Sequence, residues 1–178
     1  MTLKRARIIS TIGIFLLCFL FHFIYAWIPS YITAIFFPVN ESIWEHMKLL
    51  FSAVVMYGII DYIILQKFKV KYNNFFTNLF VTGISIIPIY LIMFLPVYYK
   101  IGENMIITIG IMLIAIIISQ VISYYILKAD DLDKLNIISL ILIIMTYIVF
   151  AYLTYYPIKT ELFFDTQEEK YGLNNYNV

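Results

Sequence analysis

Residues 8–28, IISTIGIFLLCFLFHFIYAWI, decide the class of this protein. At about 1.5 Å of rise per residue, a helix of that length crosses a hydrocarbon core of about 30 Å. Lys4, Arg5 and Arg7 precede the run and give it the charged opening of a signal peptide. The run is too long for a signal core, however, and no small-x-small cleavage pattern follows it. It therefore reads as an uncleaved first transmembrane helix. His22 lies within it, about 9 Å below the far boundary by helical rise. Trp27, Pro29 and Tyr31 mark the exit, where amphipathic aromatic rings collect at the membrane surface.

The rest of the chain is written in the same style. Of its 178 residues, 63% are hydrophobic and only 13% charged. A soluble domain carries about 25% charged residues, and so much apolar surface cannot be buried in one small core. The lipid bilayer is the partner that this composition requires. A net charge of +1 supplies no basic patch for nucleic acid. Cys18 is the only cysteine, so neither a disulfide framework nor a thiolate metal site is available.

Four further spans follow, at about 43–66, 75–95, 105–127 and 135–155. Pro88 should kink the third, and Pro96 should end it. Residues 30–37 are apolar but too short to cross, and read as an interfacial segment. Residues 157–178 form a polar tail. The expected fold is all-α, a single integral membrane domain built as a polytopic transmembrane helix bundle of about five spans. Lys4, Arg5, Arg7, Lys67, Lys69, Lys71, Lys128 and Lys134 fall on one side of the membrane. Lys48, Lys100, Lys159 and Lys170 fall on the other. This bias places the N-terminus inside and the C-terminus outside, with the plasma membrane as the expected location.

Against that apolar background, residues 40–48, NESIWEHMK, stand out. Ser42 and Glu45 have the spacing of a helix-capping box, with Asn40 as a competing cap. The second span therefore starts inside this motif, on the extracytoplasmic side. At about 100° per residue, Glu41, Glu45, Lys48 and Ser52 share one helix face, and His46 lies round toward Ser42. Asp61, farther along the same helix, reads as a helix-packing partner or an interfacial acid.

The motif admits two readings. Its polar groups can simply cap and anchor a helix start, with Trp44 at the interface and Lys48 snorkelling. Alternatively they build a site. The His-Glu-x-x-His pattern of zinc hydrolases is absent, so a divalent metal would need ligands from separate segments: Glu45, His46 and His22, with Glu41 or Asp165 as further candidates. The same groups suit acid–base work, with Glu41, Glu45 and His46 as the catalytic candidates. Asn40, Trp44, Lys48, Asp165 and Tyr171 are then the ligand-binding candidates. No Ser-His-Asp, phosphate-loop or Cys-His signature accompanies them.

Residues 38–48, PVNESIWEHMK, resemble the signature of a family of small bacterial and archaeal multipass membrane proteins classed as a domain of unknown function. The tail is similar to that family's ending, a Phe-x-Asp element followed by Tyr-Gly. The matching positions are Phe163 or Phe164, Asp165, Tyr171 and Gly172. Residues 166–169, TQEE, depart from it by lacking a Pro and a Gly after the aspartate. The resemblance implies membrane topology and two marked segments, and no chemistry. Two expectations result. One is a membrane-embedded hydrolase- or transferase-like site for a small ligand, lipid headgroup or metal. The other is a non-enzymatic scaffold, accessory subunit or transporter component in which the motif clasps the tail.

Overall fold

The first helix starts earlier than its apolar run. Thr2 is extended, and its hydroxyl accepts the backbone N–H of Arg5, which opens α1 at Leu3–Trp27. The computed structural model describes residues 1–102 and 104–173. Glu103 and residues 174–178, the end of the expected tail, lie outside the described residues. A short helix α2, Tyr31–Phe36, occupies the expected interfacial segment and is opened by a capping box between Ser30 and Thr33. Then come α3 (Ile43–Lys67), α4 (Phe75–Ile101), α5 (Met105–Lys128) and α6 (Asp133–Tyr155). Five of these helices, α1 and α3 to α6, are long and apolar enough to cross a membrane. The protein is an all-α polytopic helix bundle.

Helix α4 runs through both of its prolines. The stop that acts is Gly102, at φ 76°, whose N–H closes the last turn on the Tyr98 carbonyl. Such left-handed backbone is open to glycine and strained for other residues. Pro96 therefore does not end the span as expected.

Helix α3 is the axis of the bundle. In its most apolar stretch 56% of residues are buried, against 22–28% in the other four spans. It packs on α1 and α4, while α5 closes against α1 and α4, and α6 lies on α4 and α2. The apolar core joins Ile14, Cys18, Phe21, Leu50, Val54, Ile86 and Tyr90 across α1, α3 and α4. After α6, a 3-10 turn (Glu161–Phe163) leads into a two-stranded antiparallel ribbon, with β1 at Phe164–Asp165 and β2 at Lys170–Tyr171. This folds the tail back over the start of α3.

Toward the other end, the apolar walls hold a buried charge pair. The guanidinium of Arg7 donates to Asp61 at 2.8 Å, Ser123 at 3.0 Å and Gln120 at 3.2 Å. The hydroxyl of Ser10 donates to the other Asp61 oxygen at 2.5 Å. Asp61 is thus a helix-packing partner. Arg7, expected on the solvated flank, is drawn into the bundle.

Candidate functional site

Ser42 is the last extended residue before α3, and its hydroxyl accepts the Glu45 N–H at 3.4 Å. Only half of the expected capping box forms. The Glu45 carboxylate does not turn back to Ser42, whose N–H is taken by Asn40 Oδ1 at 2.9 Å. Instead it points into the bundle and accepts the Val39 N–H at 3.1 Å.

Around that carboxylate a closed network forms. Lys48 Nζ lies 2.5 Å from Glu45 and donates to the Ala34 carbonyl at 2.7 Å and the Thr154 hydroxyl at 2.9 Å. Thr154 in turn donates to the other Glu45 oxygen at 2.9 Å. All three ammonium protons have acceptors, and both carboxylate oxygens are occupied. Lys48 is 0% and Glu45 1% exposed. This clasp joins α2, α3, α6 and the loop before the motif. Lys48 does not snorkel.

On the opposite side of the same turn lies a different cluster. Glu41 precedes the helix, so the 100° rule that grouped it with Glu45 and Lys48 does not reach it. Its carboxylate stands 3.3 Å from His22 Nε2 and 3.6 Å from His46 Nε2. The three candidate ligand atoms all lie within 4.8 Å of one another. His46 Nδ1 lies 3.0 Å from the Ser42 carbonyl, which can only accept. Nδ1 therefore carries a proton, and when the ring is neutral Nε2 presents its lone pair to the cluster. The hydrogen bond to His22 holds the Glu41 carboxyl below its usual range, against the upward pull of burial.

The three groups sit on the wall of a cavity of about 410 Å³ between α1, α3, α4 and α5. Phe19, Leu50, Tyr90, Phe94 and Met112 supply much of its apolar lining, and Asn104, Thr108 and Gln167 add polar groups.

The tail holds this arrangement from outside. Asp165, fully buried, accepts the Glu41 N–H at 2.9 Å and the N–H groups of Gln167 and Glu168 at 2.8 and 3.1 Å. Asn40 donates to the Gly172 carbonyl at 3.0 Å. Trp44 stacks on Phe163, with ring centroids 4.7 Å apart. Tyr171 packs on Phe164 within the ribbon. Gly172, at φ 56°, lies so close to Thr154 and Pro157 that a Cβ would collide with the Thr154 carbonyl. A glycine is required there.

Of the predicted site residues, the structure brings His22, Glu41 and His46 together at the cavity. Glu45 and Lys48 are buried in the clasp, and Asn40, Trp44, Asp165 and Tyr171 belong to the seam with the tail. Sequence reasoning missed Thr154, one of several threonines without a local signal. It also missed Arg7 as the partner of Asp61, although Arg7 and Ser10 share a face of α1 at i, i+3.

A family profile described as a family of unknown function (DUF6512) matches residues 1–173. The chain belongs to this family. No curated protein and no solved structure matches it. The five long apolar helices support a multipass membrane protein, and membership of DUF6512 assigns no activity.

Proposed function

We propose that this DUF6512 protein binds a divalent metal ion through His22, Glu41 and His46, with an open coordination position facing the cavity. The observation that carries the reading is the convergence of two imidazoles and a carboxylate with one ring already oriented. In a tetrahedral site with ligands at about 2.1 Å, ligand atoms stand about 3.4 Å apart. The 3.3 and 3.6 Å separations from Glu41 fit that figure. A carbonyl-held Nδ1–H is the usual outer support of a ligating histidine. Three protein ligands and one vacant position suit Lewis-acid chemistry of the hydrolase or transferase type, in which the ion polarises an oxyanion group or activates water.

With the N-terminus cytoplasmic, the site lies at the outer face of the plasma membrane. Burial of Arg7 and Lys48 removes one charge from each side of the lysine–arginine comparison, and the inward bias persists.

Elemental analysis of the purified full chain after zinc loading tests the metal site. About one ion per chain is expected. His22→Ala and His46→Ala should lose it, while Glu161→Gln, on the exposed tail, should retain it. Equal metal content in wild type and both histidine variants refutes the reading.

A second reading draws support from Asn40, Asp165 and Trp44, which tie the motif to the tail. On it, residues 40–48 serve as a structural clasp in a scaffold or accessory subunit. Histidine substitutions would then lower the melting temperature as far as clasp substitutions do.

A further inference from the structure

Resting on the metal-site reading, we propose that the ligand is a single-chain amphiphile with an oxyanion head. Its chain lies in the cavity, and it reaches the site sideways from the bilayer between α1 and α5. Three observations carry this.

First, the cavity is polarised. Cys18, Leu49, Leu50, Phe94 and Met112 make an apolar wall, whereas His22, Glu41 and His46 form a compact polar cluster. A wholly polar solute would leave its hydration shell for hydrocarbon walls with few hydrogen-bonding groups.

Second, the opening is apolar along α1 and the start of α5, with the exposed Asn104 and Gln167 as its polar rim. Phe19 and Phe23 on α1 line the cavity yet are 39% and 48% exposed, and Met105 on α5 is 77% exposed. Side chains that both line a cavity and form the outer surface mark its mouth. The surface beside them, at Leu16, Leu20 and Ile106, is apolar and exposed. In a membrane-spanning helix such a surface meets acyl chains.

Third, size and charge select the occupant. The cavity of about 410 Å³ between four helices has room for an acyl chain beside the three polar groups. A divalent ion with two neutral histidines and one carboxylate carries net charge +1. That favours an anionic head, a carboxylate or a phosphate.

The test uses the full chain in nanodiscs, loaded with zinc, and diazirine-bearing palmitate and lysophosphatidate as separate photoprobes. Labelling should concentrate on residues 19–23 and 105–112. The preferred probe distinguishes a carboxylate from a phosphate head. Met112→Trp and, independently, Ile109→Trp fill the cavity. Each should cut labelling at least tenfold while metal content and melting temperature hold. If metal binds but labelling is spread over the lipid-facing surface and neither tryptophan changes it, the amphiphile is refuted and the metal site stands. If labelling is tryptophan-sensitive but no metal binds, the metal reading fails and takes the coordinated oxyanion head with it.

Discussion

Glu45 and His46 are neighbours in sequence on one turn of α3, yet their surroundings are opposite. Glu45 faces a closed network in which every ammonium proton of Lys48 has an acceptor and almost nothing is exposed. His46 faces a cavity, beside a carboxylate and a second imidazole that are each partly exposed. A charge pair sealed by its own partners holds helices together and has no capacity left for a ligand. Groups that converge on open space keep that capacity. The difference separates two roles that the motif carries within nine residues.

The clasp offers the largest effect. Lys48→Met leaves the Glu45 carboxylate buried without its cation, which should cost about 3–5 kcal/mol. A steep fall in melting temperature in detergent checks it. The double variant Glu45→Leu/Lys48→Leu should recover part of the loss, because removing both charges also removes their desolvation.

Next comes the seam with the tail. Asp165→Ala strips three backbone N–H groups of a charged acceptor, an expected loss of about 2–3 kcal/mol. It also frees Glu41, so zinc affinity should drop about tenfold, as is usual when support behind a ligand is removed. Isothermal titration with zinc reads that drop. An unchanged affinity would place the tail outside the function of the cavity.

His46→Ala should cost only about 1 kcal/mol in stability while eliminating bound metal. If it destabilises as much as Lys48→Met, the two sides of the turn do not differ and the clasp reading prevails.

The smallest effect is one of pH. The Glu41 carboxyl is held below its usual range by His22, so the charged form is favoured in the fold. Its stabilising contribution is present above the ordinary carboxylate range and is lost as pH falls through the lowered value. Metal-free Glu41→Gln should lack this acid-dependent step in melting temperature, and wild type should show it.

The helices were legible because hydrophobic run length is a local property, and membrane spans need little else. Even so, the end of α4 misled. Pro96 is the louder signal, but a proline tolerated in a helix does not stop it, and Gly102 does. Within the motif, the helix start at Ser42 was readable from capping chemistry. The side-chain directions were not. A single-residue question, whether Glu41 lies inside or outside the helix, decides which carboxylate meets the histidines. Helical-wheel reasoning assumes its answer. Thr154 and Arg7 act through partners more than fifty positions away, and no local pattern encodes such distances.

The Arg7–Asp61 pair bears on the order in which the bundle is made. α1 leaves the ribosome first, carrying a guanidinium whose carboxylate partner arrives only with α3. Its remaining partners, Gln120 and Ser123, arrive with α5. An unpartnered arginine costs about 2.5–3.5 kcal/mol at a helix centre. It costs far less near a helix end, where Arg7 sits. The first helix can therefore enter the bilayer alone, but it docks fully only after two later helices have supplied its acceptors. Lateral packing of α1 is therefore complete only when α5 is in place.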